Sequence, residues 1–180
     1  MSEQVRIKRK IVIVGDPAVS KTSLIRKYVL NMFSDNYIMT VGFKVSSKKL
    51  IYNLDNGGCE TELTLMIWDI MGQRGYELIP QTAFYGAKGA IMVCDITQKD
   101  TLLHLPNLTS SLFEITNEIP IVFLANKYDL KEQTSFGNME ISDMATLYHA
   151  PHFITSAKSG ENVELAFRIL GKLILEAQVT

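Results

Sequence analysis

The chain alternates continuous apolar runs with segments in which apolar residues recur at helical spacing. The run Lys10–Val14 is rich in β-branched residues and stops at Gly15, a pattern typical of a strand buried on both faces of a parallel sheet. In residues 21–31, by contrast, the apolar positions follow one face of a helix. The same criteria predict strands at residues 10–14, 43–54, 61–69, 90–94, 121–125 and 152–155, and a last helix over residues 161–177.

The order of these elements predicts the fold class. The turn-forming segment Asn53–Gly58 separates two strand-like segments and predicts an antiparallel hairpin. Because the other strands alternate with helical segments, we expect an α/β fold of three layers: a mostly parallel six-stranded sheet with one antiparallel edge strand, and helices on both faces. A length of 180 residues predicts a single domain over residues 1–180. Ligands of such sheets bind at the carboxyl ends of the strands, so functional residues should directly follow the buried runs.

Composition excludes several other classes of protein. With 47% apolar and 21% charged residues, the chain has enough hydrophobic material for a core and is not of the disordered type. A formal net charge of −1 gives no electrostatic footprint for nucleic acid. Cys59 and Cys94 cannot form a disulfide framework, and two reduced thiols fit a cytoplasmic protein. There is no secretory signal, no apolar run of about 18 residues and no cysteine near Thr180, so we expect a cytoplasmic monomer without a lipid anchor.

The segment after the first strand has the layout of a phosphate-binding loop, in which a strand is followed by a loop and by a helix that opens with Lys21-Thr22. In such a loop backbone N–H groups face an anion, the lysine reaches the β- and γ-phosphates, and the threonine holds Mg²⁺. Ser20 stands where the complete pattern has its second glycine, so an ordinary turn before a helix is an alternative. The candidate phosphate-binding residues are Gly15, Asp16, Pro17, Ala18, Val19, Ser20, Lys21, Thr22 and Ser23.

A second group of candidates follows the third predicted strand. Asp69 ends that strand, where a carboxylate can orient Mg²⁺. Gly72 offers a backbone N–H with no side chain to block the close approach of a terminal phosphate. Gln73 can orient an attacking water. The sequence therefore predicts a metal ligand at Asp69 and a catalytic residue at Gln73.

A third group follows the fifth and sixth strands and suits a purine base. The carboxylate of Asp129 can accept two hydrogen bonds from the N1–H and N2–H₂ edge of guanine. Adenine has no such pair of donors, so Asn126 and Asp129 disfavour an adenine nucleotide phosphotransferase. The alternative is an Asn-Asp turn that merely caps a strand. The candidate base-binding residues are Asn126, Lys127 and Asp129, followed by Ser156, Ala157 and Lys158, where small residues let backbone amides approach a base carbonyl.

Taken together, these motifs resemble the Ras superfamily of small GTPases, and its Rab-like branch most closely. The resemblance covers residues 7–176, and each motif stands at the end of its predicted strand. It rests on Gly15…Lys21-Thr22, Phe33…Tyr37…Thr40-Val41-Gly42, Trp68-Asp69…Gly72-Gln73, Ala83–Ala90, Asp95-Ile96-Thr97, Asn126–Leu130 and Thr155–Val163.

The resemblance implies the fold of the P-loop NTPases and a switch that binds GTP or GDP with Mg²⁺. It also implies that Thr40 joins Thr22 and Asp69 as a metal ligand in the GTP state, and that Tyr37 covers the phosphates. Loss of the γ-phosphate would release both switch loops, a change that partner proteins read. The catalytic candidates are Gln73, Lys21 and Thr40, and effector, exchange-factor and activating proteins are expected to contact residues 33–45 and 69–80.

The sequence departs from the family pattern at positions that bear on activity. Ser20 replaces a glycine, Pro17 has no N–H to donate near the expected γ-phosphate, and Met71 replaces a small alanine. These departures leave a second hypothesis open, a pseudo-GTPase binding module with weakened nucleotide binding or hydrolysis. No arginine stands in the first switch loop, residues 31–42, so we expect slow turnover, on the order of 10⁻⁴ to 10⁻³ s⁻¹ as in Ras.

Overall fold

The computed structural model describes residues 5–34, 42–53, 60–70 and 81–178. The strands are β1 (Val5–Val14), β2 (Phe43–Asn53), β3 (Glu60–Ile70), β4 (Gly89–Asp95), β5 (Ile121–Asn126) and β6 (His152–Ile154). The helices are α1 (Lys21–Leu30), α2 (Gln81–Phe84), α3 (Lys99–Leu103), α4 (Leu105–Thr116), α5 (Asn138–Leu147) and α6 (Val163–Glu176), and a 3₁₀ helix covers Tyr128–Gln133.

The described strands form one six-stranded sheet in the order β2-β3-β1-β4-β5-β6. Neighbouring strands are parallel except at the edge, where β2 runs antiparallel to β3 from the pair Phe43 and Ile70 to the pair Asn53 and Glu60. This topology confirms the predicted fold class and the hairpin, whose connecting residues 54–59 lie outside the described ranges. Because five strands run in the same direction, their carboxyl ends meet at one edge of the sheet.

Helices cover both faces of the sheet and form the two outer layers of the three-layer fold. On one face lie α1 and α6, which are joined by the stacked rings of Tyr28 and Phe167 with centroids 3.9 Å apart. On the other face, buried side chains of α2 to α5, such as Phe84, Leu112 and Ile141, pack against the strands. Strands β4 and β5 are buried along their whole length, as their continuous apolar runs predict.

Strand β1 begins at Val5, earlier than the predicted start at Lys10. Residues 5–13 pair with β3, whereas β4 flanks β1 only from Ile11 onward. The first half of β1 is therefore partly exposed and carries polar side chains, and an apolar run marks only the half that is buried on both sides. Strand β6 ends at Ile154, one residue before its predicted end, and α6 lies within its predicted range.

Cys94 is a buried free thiol next to the last residue of β4. Its Sγ–H donates to the carbonyl of Leu124 at 3.5 Å, and burial raises the pKa of the thiol. The other cysteine, Cys59, lies outside the described residues. Among the helices in the described ranges, none combines the length and the apolar character that crossing a membrane requires.

Candidate functional site

The loop between β1 and α1 lies tightly against strand β4. A Cβ atom added to Gly15 would lie 2.2 Å from the carbonyl oxygen of Val93, a distance that no side chain tolerates. Glycine is therefore required at position 15 for the backbone to approach β4 this closely. This contact fixes where the loop leaves the sheet.

Two non-glycine residues of this loop have left-handed backbone conformations. Ala18 has φ 63°, and Ser20, which precedes α1, has φ 74° and ψ 36°. Such conformations let successive N–H groups point into one concavity, as anion-binding loops do, and each costs an L-residue roughly 1–2 kcal/mol. The Ser20 side chain makes no capping hydrogen bond that would offset this cost. Ser20 therefore holds a backbone conformation that glycine would adopt without this cost. Pro17 contributes no N–H to the loop.

Lys21 directs its ammonium group back over the loop. Its Nζ donates to the carbonyls of Gly15 and Asp16, each at 2.8 Å, and the side chain is only 6% exposed. Burial lowers the pKa of Lys21 to about 8, against the opposing effect of the Asp69 and Asp16 carboxylates. A desolvated cation beside a loop with this backbone conformation is suited to bind an anion.

Thr22 and Asp69 bring two oxygen ligands together beside Lys21. The Thr22 hydroxyl donates to Asp69 Oδ2 at 2.5 Å, and Asp69 is buried at the end of β3. One carboxylate and one hydroxyl fit Mg²⁺, which prefers oxygen ligands and takes few of them from the protein when phosphates supply others. The third predicted ligand, Thr40, lies outside the described residues.

Asn126 joins the loop between β1 and α1 to the loop after β6. Its amide Nδ2 donates to the carbonyl of Val19 at 3.0 Å. Its Oδ1 accepts hydrogen bonds from the Thr155 hydroxyl at 3.2 Å and from the backbone N–H of Ala157 at 3.1 Å. The side chain is fully buried, and these three bonds give partners to both its amide nitrogen and its amide oxygen.

The two residues with charged side chains after Asn126 are also held by neighbouring loops. Lys127 has φ 72°, and its Nζ lies 2.6 Å from Oδ2 of the buried Asp95. Asp95 Oδ1 also accepts bonds from the N–H and the hydroxyl of Thr97, at 2.9 and 2.7 Å. Asp129 is exposed, and its Oδ1 accepts a hydrogen bond from the Ser156 hydroxyl at 2.7 Å.

The structure thus brings most of the sequence-predicted residues to one edge of the sheet. The residues placed there are Gly15–Ser23, Asp69, Asn126, Lys127, Asp129, and Ser156, Ala157 and Lys158, of which Lys158 is exposed. The remaining ones, Tyr37, Thr40, Gly72 and Gln73, lie outside the described ranges, as does Met71.

Two side chains belong to this edge although the sequence did not indicate their roles. Asp95 ends β4 and holds Lys127, so the strand-end rule that selected Asp69 also applies to it. His104 lies with its Nδ1 2.6 Å from Asp16 Oδ2. No sequence signal pointed to this contact, because 88 residues separate the two side chains.

Comparisons with known proteins agree with this arrangement. The family model described as "Ras family" matches residues 10–176. Rab-27B from Bos taurus is 34% identical over 173 residues, which cover 93% of this chain and 79% of that relative. Rab-21 from Homo sapiens is 34% identical over 172 residues, or 94% of this chain and 74% of the relative. Rab7 from Drosophila melanogaster is 30% identical over 174 residues, or 94% of this chain and 81% of the relative.

Proposed function

This chain belongs to the Ras family as a Rab-like small GTPase, and we propose that it is a GDP/GTP switch that hydrolyses GTP slowly with Mg²⁺. The observation that carries the proposal is the Asn126 side chain, which joins the phosphate-binding loop at Val19 to the base-binding loop at Ala157. A ligand that fills both loops must have phosphates at one end and a base at the other.

The phosphate end is assigned to the loop after β1. The backbone amides of the loop would surround the β-phosphate, and Lys21 would move its ammonium hydrogen bonds from the carbonyls of Gly15 and Asp16 to phosphate oxygens. Thr22 and Asp69, with Thr40, would hold Mg²⁺. The metal, when bound, supplies neutralisation of the charge that develops on the phosphate oxygens.

Residues of the two switch segments would complete the reaction site. Gln73 would orient the attacking water in line with the γ-phosphate, and the N–H of Gly72 would bind that phosphate. Tyr37 would cover the phosphates. The segments 33–45 and 69–80 would then present different surfaces to effector, exchange-factor and activating proteins in the two nucleotide states.

The base end is assigned to the loops after β5 and β6. Asp129 has one oxygen engaged by Ser156, and its carboxylate would accept the two donors of a guanine edge. The backbone of Ala157 and Lys158 would bind the base carbonyl. The stem of Lys127, held by Asp95, would cover the ring face.

A second candidate function is favoured by Ser20 and Pro17, a Rab-like binding module in which hydrolysis or affinity is weakened. Ser20 holds a left-handed conformation without a capping bond, and Pro17 removes an N–H from the loop. Both features lie where the phosphates would bind. Effects on affinity and on hydrolysis are separable by experiment.

Phosphate release from GTP distinguishes the two functions. The protein is stripped of nucleotide, loaded with GTP and Mg²⁺, and followed over many hours with Lys21→Met as the matched control. A switch releases phosphate on the order of 10⁻⁴ s⁻¹, the range of Ras, and the control releases none above background. Bound GTP that yields no phosphate rejects the enzyme and supports the binding module.

A further inference from the structure

We propose that His104 is a positioning residue that holds the phosphate-binding loop in its binding conformation through Asp16. The proposal rests on the proposed function, since it assumes that this loop binds nucleotide phosphates. The contact that carries it joins His104 Nδ1 to Asp16 Oδ2 at 2.6 Å. Asp16 is the second residue of the loop, directly before Pro17.

The backbone of His104 is rigidly placed between two helices. Its N–H donates to the carbonyl of Asp100 at 3.1 Å, and its own carbonyl accepts from the N–H of Leu108 at 3.3 Å. Helix α3, which ends next to His104, is fixed to the sheet because the Thr101 hydroxyl accepts a hydrogen bond from the N–H of Asp95 at 2.9 Å. The imidazole therefore extends to Asp16 from a fixed support.

The loop needs such a support because its conformation is costly for this sequence. Ala18 and Ser20 both have positive φ, 63° and 74°, without being glycine. At the α1 end the loop is held by the bond from Leu24 N–H to the Ser20 carbonyl, at 3.0 Å. A strained segment keeps its conformation only when its surroundings over-determine it, so the other end must be held as well.

At the Gly15–Asp16 end, the loop is held in part by hydrogen bonds from the Lys21 ammonium. In the structure, the Lys21 ammonium donates to the carbonyls of Gly15 and Asp16. Phosphates would compete for the same ammonium donors, and this hold on the loop would then weaken. Among the residues that the structure describes, the His104 hydrogen bond is the side-chain contact that Asp16 retains in that state. His104 thus supports the loop when the ligand is bound.

The affinity for GDP, measured on nucleotide-free protein, tests the proposal. His104→Leu should raise the Kd for GDP about three- to tenfold, the worth of one ordinary hydrogen bond, since the His104 side chain is 48% exposed. His104→Asn should stay within about twofold of the wild type, since its amide N–H can replace the imidazole donor. His152→Leu is the matched control, because it also removes one side-chain hydrogen bond of a histidine, to Asn138 at 3.2 Å, but away from the loop.

A double-mutant cycle with Ser20→Gly separates positioning from a general loss of structure. If His104 acts by supporting a strained loop, the effect of His104→Leu shrinks once Ser20→Gly has removed the strain at position 20, which is one of the two strained positions. An effect of undiminished size overturns the proposal. So does an unchanged GDP affinity in His104→Leu, or a His104→Asn variant as weak as His104→Leu.

The wild-type measurement distinguishes this failure from failure of the proposed function. Wild-type protein that binds no GDP rejects the function, and the inference about His104 falls with it. Wild-type protein that binds GDP and tolerates His104→Leu rejects the inference alone.

Discussion

The Asn126 amide donates a 3.0 Å hydrogen bond to the carbonyl of Val19, although 107 residues separate the two along the chain. The bond joins the end of β5 to the loop after β1, while Oδ1 of the same side chain binds the loop after β6. One buried amide therefore sets the spacing between the two halves of the proposed nucleotide site.

Asn126→Ala should weaken both folding and GDP binding. The change leaves the Val19 carbonyl and the Ala157 N–H buried without their partner, which costs about 2 kcal/mol of unfolding free energy. We expect the Kd for GDP to rise by more than about tenfold, since the two loops lose their common support. Denaturant unfolding and GDP titration measure the two effects, with the exposed Asn138→Ala as control. Unchanged GDP affinity in a folded Asn126→Ala protein would contradict the role given to this bond.

Ser20→Gly should stabilise the protein and strengthen GDP binding. Glycine adopts φ 74° without the side-chain penalty, and the Ser20 side chain has no capping bond to lose, so we expect a gain of about 1 kcal/mol. A more than tenfold gain in GDP affinity would mean that Ser20 impairs binding in this chain. No change in either quantity would reject the strain argument.

His149→Gly is the matched control for this substitution. His149 also has a left-handed backbone, with φ 50°, but follows α5 and does not belong to the candidate site. It should gain a similar stability from glycine while leaving the affinity for GDP unchanged.

Lys21→Met should abolish tight GDP binding without destabilising the empty protein. Burial lowers the pKa of Lys21 to about 8, against 10.5 for an ordinary lysine. Between these values the unfolded chain binds a proton that the folded chain does not, so the contribution of Lys21 to stability improves as pH rises. Below pH 8 the buried Lys21 ammonium stays charged, so its desolvation lowers the free energy of unfolding by the full amount.

The stability difference between wild type and Lys21→Met isolates this effect. From pH 8 to pH 10.5 the wild type should gain up to about 3 kcal/mol on the variant in nucleotide-free buffer. Denaturant unfolding at several pH values provides the measurement. A pH-independent difference would show that the Lys21 ammonium is not desolvated.

Lys127→Met should destabilise the fold by about 1–3 kcal/mol, because it leaves the buried Asp95 carboxylate without its cation. In an Asp95→Asn background the same substitution should cost markedly less. Lys172→Met, at an exposed pair with Glu176, serves as control and should stay within about 0.5 kcal/mol of the wild type. Equal costs of Lys127→Met in both backgrounds would reject the coupling.

The fold could be predicted from the sequence because the spacing of apolar residues within each segment indicates whether it is a strand or a helix. The runs of β4 and β5 are apolar throughout since both faces are covered, whereas the start of β1 was missed because that half lacks a second neighbour. Strand-end reasoning likewise predicted that Asp69, Asn126 and Asp129 lie at one edge of the sheet, where the structure places them, since parallel strands bring their carboxyl ends together.

Contacts between side chains that are far apart in the chain could not be predicted from the sequence. The His104 bond to Asp16 depends on where α3 packs, and the Asp95 bond to Lys127 depends on the pairing of β4 with β5. The backbone of Ser20 is similar: a serine in the sequence does not reveal a φ of 74°, which the loop closure between β1 and α1 imposes.

The central claim, that one edge of the sheet binds a guanine nucleotide through Asn126 and Asp129, is tested most directly by what the protein carries and binds. Purified protein is denatured by heat, the released nucleotide is identified, and the stripped protein is titrated with GDP and with ADP. We predict close to one guanine nucleotide per chain, a strong preference for GDP, and loss of that preference in Asp129→Asn. A protein that releases no guanine nucleotide and binds neither GDP nor GTP would contradict the account.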